Sequence, residues 1–129
     1  MENLHIAATA STPEVDFRFD RHSLTLKGES YPENASAFYG SVLSKVNVYL
    51  AGCSQADITL NIALAYFNSS STKILFSMLE AFSRAAQAGN KVTLNWYHDE
   101  DDETLSEFGQ EICEDFPAIT FVDIPVQTN

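Results

Sequence analysis

Asp57-Ile58-Thr59-Leu60-Asn61-Ile62-Ala63-Leu64-Ala65-Tyr66-Phe67 runs directly into Asn68-Ser69-Ser70-Ser71-Thr72, and the reading of this stretch decides the fold. Strict alternation places Ile58, Leu60, Ile62, Leu64 and Tyr66 on one side of a strand. The other side changes from polar (Asp57, Thr59, Asn61) to small or apolar (Ala63, Ala65, Phe67). That change predicts a central strand whose second half is covered on both faces. Past the serine run the period lengthens. Ile74, Leu75, Met78, Leu79, Phe82 and Ala86 recur at helical spacing, and Gly89-Asn90 closes the helix.

The same logic extends in both directions. Upstream, Phe38, Tyr39, Val42, Leu43, Val46, Tyr49 and Leu50 form one helical face, punctuated by Pro32 before it and Gly52 after it. Further back, Asp16–Asp20 and Ser23–Glu29 alternate around Arg21-His22 and read as a hairpin, with Leu4–Ala8 as an edge strand. Downstream, Lys91–Tyr97 is a strand with Val92, Leu94 and Trp96 on one face. Asp99–Phe116 reads as an acidic helix with a thin stripe of Leu105, Phe108 and Ile112, stopped by Pro117. Ile119–Ile124 is the last strand. Strands alternating with helices imply parallel neighbours joined by right-handed crossovers, hence an α/β sandwich.

The 129 residues fit one domain, 1–129, with no repeat or linker inside it. Apolar residues make up 45% of the chain, enough for a core. Apolar runs are too short to span a bilayer, and Met1-Glu2-Asn3-Leu4-His5 lacks the features of a signal peptide, so a soluble cytoplasmic protein is expected. Cys53 and Cys113 match no metal or redox spacing, and no structural disulfide is expected. The net charge is -11, with nine carboxylates between Asp99 and Asp115 and no Lys or Arg after Lys91. Such a surface repels nucleic acid and anionic lipid and suits a basic protein partner; it equally serves as a solvated face that maintains solubility.

The turn at Asn68 has the most chemical content. The carboxyl end of a central strand leading into a helix start is a usual place for a functional site in open α/β sheets. A phosphate on Ser69 would meet helix N–H groups that lack intrahelical partners, with Lys73 one turn on as a counter-charge. Ordinary capping by Asn and Ser explains the same residues without any ligand. Catalysis has little support: His5, His22 and His98 show no metal spacing, and no nucleophile elbow or glycine-rich phosphate loop is present. His98 with Asp99, Glu100, Asp101 and Asp102 is the one constellation for a small metal-dependent enzyme, although consecutive carboxylates at a helix start fit a solvated cap better. Tyr31, Tyr39, Tyr66 and Trp96 read as core residues.

Taken together, Ser11-Thr12-Pro13, Gly28-Glu29-Ser30-Tyr31-Pro32-Glu33-Asn34 and Tyr66-Phe67-Asn68-Ser69-Ser70-Ser71 resemble the SiaC family of bacterial regulatory phosphoproteins, and weaker similarity covers nearly the whole chain. The resemblance implies a STAS-like sandwich, a central mixed sheet with helices packed on it. It implies a non-catalytic protein without cofactor or metal, phosphorylated by a dedicated protein kinase and dephosphorylated by a PP2C-type phosphatase. In its unphosphorylated form the best-known member activates a diguanylate cyclase and so promotes biofilm formation. The acceptor hydroxyl follows the Asn of the strand-end motif, which here is Ser69; the best-known member has Thr there. Asn68, Ser70, Ser71, Thr72 and Lys73 surround the expected phosphosite, and Tyr31, Pro32, Glu33 and Asn34 are candidates for partner binding. The alternatives are an anti-sigma-factor-antagonist-like module with another effector, or the small enzyme built on His98.

Overall fold

The computed structural model of the chain describes residues 1–127. Its strands are β1 (Leu4–Ile6), β2 (Glu14–Arg18), β3 (Ser23–Ser30), β4 (Asp57–Phe67), β5 (Lys91–Asp99) and β6 (Thr120–Val126). They form one sheet in sequence order. β1–β2 and β2–β3 are antiparallel; β3–β4, β4–β5 and β5–β6 are parallel. Helices α1 (Ala35–Ala51), α2 (Ser69–Gln87) and α3 (Glu103–Asp115) supply the three parallel crossovers. The mixed α/β sheet expected from the alternation of elements is thus the observed fold, with β4 in its interior.

The core lies on one side of the sheet. Leu24 and Leu26, Ile58 through Leu64 at alternate positions, and Val92, Leu94 and Trp96 face Tyr39, Val42, Val46, Leu75, Leu79, Phe82, Leu105 and Ile112 of the helices. All three helices therefore pack on the same face. This corrects the expectation that β4 is covered twice: Ala63 is only half-buried and Ala65 is exposed. Small side chains there satisfy the pattern of a doubly covered strand without any second layer of helices.

A one-residue slip corrects a second expectation. Gly28 of β3 pairs with Leu64, but Glu29 pairs with Tyr66, so Ala65 has no partner on β3. Such a bulge reverses the inside–outside alternation beyond it. Tyr66 turns outward and is 53% exposed, and Phe67 turns inward, 4.9 Å from the Phe108 ring and 6.3 Å from that of Trp96. Tyr31 is also exposed, whereas Tyr39 and Trp96 are core residues as expected.

Smaller differences have local causes. Phe19 is buried in a short 3-10 turn (Phe19–Arg21) rather than in β2, and His22 completes that turn in a left-handed conformation. β5 continues to Asp99, and α3 starts only at Glu103, because Asp102 accepts a hydrogen bond from the Leu105 N–H and acts as its cap. Both cysteines are free. No helix among the described residues is long and apolar enough to cross a membrane.

Gly109 shows where packing overrules propensity. It lies inside α3, where alanine is the better helix former by about 1 kcal/mol. An added Cβ, however, would stand 2.8 Å from Cδ1 and 2.9 Å from Nε1 of Trp96. That indole is fully buried and donates to the Leu105 carbonyl at 3.0 Å, so it has no room to retreat. Gly109→Ala should therefore lower stability, overpacking costing about 1–3 kcal/mol and outweighing the gain in propensity. Leu64→Ala, which empties a buried position on β4, should cost about 2–5 kcal/mol. Urea denaturation reads both as a lower midpoint at unchanged slope.

Candidate functional site

The three segments singled out in the sequence meet at the carboxyl end of the sheet. The Ser11 carbonyl accepts from the Tyr31 N–H at 2.8 Å, and the Ser30 carbonyl accepts from the Asn68 N–H at 3.0 Å. Gly28, with φ of 124°, allows β3 to run beside Pro13 where the bulge begins. A side chain at Gly28 would be strained by that backbone conformation alone. Beyond it, Ser30 points inward, Tyr31 outward and Pro32 inward, Glu33 is exposed, and Asn34 caps α1 by accepting from the Ala37 N–H at 3.1 Å.

The hydroxyls of the Asn68 turn have different surroundings. Asn68 is the cap of α2: its side-chain oxygen accepts from the Ser71 N–H at 2.9 Å. Ser71 is buried, with its Oγ 2.8 Å from Ser30 Oγ, which is in turn 2.6 Å from the Tyr39 hydroxyl. This chain of three hydroxyls ties β3, α1 and α2 together. Burial raises the Tyr39 pKa, and the bond to Ser30 pulls it the other way. Thr72 is half-buried and donates its hydroxyl to the Asn68 carbonyl at 3.0 Å. Ser69 and Ser70, by contrast, are exposed on the first turn of α2, and Lys73 is exposed four residues after Ser69. Capping thus accounts for Asn68, and packing for Ser71 and Thr72; neither accounts for Ser69 or Ser70.

Tyr31 and Tyr66 stand beside this turn as an exposed aromatic pair, with ring centroids 5.8 Å apart and planes at 64°. The alternation of β4 hid Tyr66, since nothing in that pattern marks a bulge. The glycine opposite it, Gly28, was the available signal.

His98 and the neighbouring carboxylates do not converge. Its Nδ1 is 2.8 Å from the Asp99 carbonyl and its Nε2 is 2.9 Å from the Asp123 carboxylate, so both ring nitrogens are engaged. The Asp99 carboxylate accepts from the Asp101 N–H, and that of Asp102 caps α3. Among the described residues no group of three or more His, Cys, Asp or Glu could hold a metal ion. His98, itself buried, and Asp99, Asp101 and Asp102 line an open trough at this end of β5.

The overall fold is shared with known proteins. The model of the SiaC family of regulatory phosphoproteins matches residues 6–126. The chain belongs to that family. It is 36% identical over 115 residues to an uncharacterised protein of Pseudomonas aeruginosa (strain UCBPP-PA14), spanning 89% of this chain and 90% of the relative. Apo-SiaC of Pseudomonas aeruginosa superposes with a TM-score of 0.86 at 33% identity, covering 96% of this chain and 99% of that one. SiaC in the crystal structure of the diguanylate cyclase SiaD in complex with its activator SiaC gives 0.88 at 33% identity, over 95% and 99%.

In this SiaC-family chain the buried hydroxyls should carry stability and the exposed one should not. Ser71→Ala leaves buried partners short of a hydrogen bond and should cost about 1–3 kcal/mol. Asn68→Ala, a lost cap, should cost about 0.5–2 kcal/mol. Ser69→Ala should stay within about 0.5 kcal/mol of the parent, as surface substitutions do. Thermal and urea unfolding of the three variants side by side measure this order.

Proposed function

We propose that this protein is a non-catalytic cytoplasmic switch. A partner kinase phosphorylates Ser69, a PP2C-type phosphatase reverses the modification, and the phosphorylation state sets binding to, and activation of, a diguanylate cyclase. The observation that carries the reading is the exposure of Ser69 at the first turn of α2, where its hydroxyl has no packing role. Family membership and the crystallised SiaD–SiaC complex support the choice of effector.

The chemistry follows from the surroundings. Phosphate adds about two negative charges and three acceptor oxygens at a helix start whose N–H groups and dipole stabilise an anion. Lys73, one turn along the same face, supplies the nearest opposite charge in sequence. The unmodified turn presents a small neutral hydroxyl next to Tyr31 and Tyr66, rings of the kind that anchor protein interfaces. Charging that surface opposes docking by repulsion and by the cost of desolvating the phosphate. Ser replaces the Thr of the best-known member with the same hydroxyl chemistry.

Cyclase binding by the unmodified, phosphorylated, Ser69→Ala and Ser69→Glu forms tests the reading. Ser69→Ala should bind and activate like the unmodified protein and should resist the kinase. Ser69→Glu should bind more weakly, though less so than the phosphorylated form, because a carboxylate carries less charge than phosphate. Lys73→Ala should alter the phosphorylated form more than the free one. Equal binding by all forms would sink the proposal, and selective binding to a partner other than a cyclase would redirect it to the anti-sigma-factor-antagonist-like reading.

A further inference from the structure

We infer that the helix-free face of the sheet is a docking trough for a cationic amphipathic helix of a partner protein. The trough has a volume of about 1200 Å³ and shares no lining residue with the Asn68–Thr72 turn. Its floor is the outer side of β4, where Asn61, Ala63 and Ala65 follow one another, and Lys27 of β3 and Tyr97 of β5 rise on either side. Depth comes from this contrast between alanine methyls and long flanking side chains.

The floor has the chemistry of a surface meant to be covered. Asn95 Nδ2 donates to Asn61 Oδ1 at 2.8 Å, and Asn61 Nδ2 donates to Thr25 Oγ1 at 3.3 Å, so the polar groups across β3, β4 and β5 bond to one another. A visitor there need not supply hydrogen bonds and gains apolar contact with Ala63 and Ala65. Strands lie about 4.7–4.9 Å apart, so a helix about 10–12 Å in diameter covers two to three of them. In three-layer α/β folds a helix occupies this position.

Charge selects the occupant. Asp99, Asp101, Asp102 and Glu103 line the trough at the carboxyl end of β5, and Lys27 is the single cation in its lining. Four carboxylates against one ammonium, in a chain of net charge -11, disfavour phosphate-bearing ligands and favour a helix carrying Lys or Arg beside a stripe of small apolar residues. Asp101 and Glu103 are exposed and free to meet such cations.

The test needs neither kinase nor cyclase, so its failure leaves the Ser69 switch untouched. The 15N-labelled full chain is titrated with a 16-residue synthetic helix bearing lysines along the edges of an alanine–leucine stripe, and with a control in which glutamate replaces lysine. Shifts should concentrate at Thr25–Lys27, Asn61–Ala65 and Tyr97–Glu103 with the lysine peptide only. Asp101→Lys with Glu103→Lys should weaken binding about tenfold or more, a loss of about 1.4 kcal/mol. Ala65→Trp, which fills the trough and leaves its charge intact, should do the same. Binding that survives Ala65→Trp, or that spreads along the whole of α3, would mean unspecific attraction and overturn the inference. Absence of binding overturns it too, and trough shifts on dilution of the chain alone would assign the face to a second copy instead.

Discussion

The unpaired Ala65 in the ladder between β3 and β4 governs the rest of this end of the molecule. Without that slip Tyr66 would point into the core and Phe67 out of it. With it, Phe67 closes the aromatic cluster of Trp96 and Phe108, and Tyr66 joins Tyr31 at the surface. The strand then enters Asn68 with its N–H held by the Ser30 carbonyl. Gly28, in a conformation that side chains rarely adopt, is the residue on the facing strand that accommodates the irregularity.

A second layer of control follows from the bulge. Because Ser30 pairs with Phe67 and points inward, its hydroxyl reaches both Tyr39 and Ser71. That contact extends the face of α2 that Leu75, Met78, Leu79 and Phe82 bury: Ser71 faces the core, and Ser69 and Ser70, on the other side of the same turn, face water. The buried face of α2, Ser71 included, is therefore what orients an exposed hydroxyl. Four similar residues in a row acquire different fates from their angular position on one helical turn.

Periodicity made most of the fold legible. The faces of α1, α2 and β4 through Leu64 emerge where they were expected, because burial on a single side imposes period 2 or 3.6 directly on the residues. What stayed hidden depended on neighbours distant in the chain. Tyr66 was misread because a bulge is set by the partner strand; Ala63 and Ala65 were misread because small residues fit a covered face and an open one equally well. The acidic run appeared to start a helix at Asp99, yet pairing with β6 extends β5 through that residue and leaves capping to Asp102. At the site, the segment Asn68–Thr72 was legible as a helix start, but only tertiary contacts distinguish Ser69 from Ser71.

The central proposal is that Ser69 is the modified hydroxyl of the turn, since packing withdraws Ser71 and Thr72 and leaves Ser69 and Ser70 exposed. Fragmentation mass spectrometry that localises phosphate within the 66–74 segment, after reaction of the intact folded chain with its kinase, tests it most directly. Phosphate on Ser69, and its loss from the segment in Ser69→Ala, is the result the account predicts. Phosphate on Ser71, whose hydroxyl lies buried against Ser30, would contradict it.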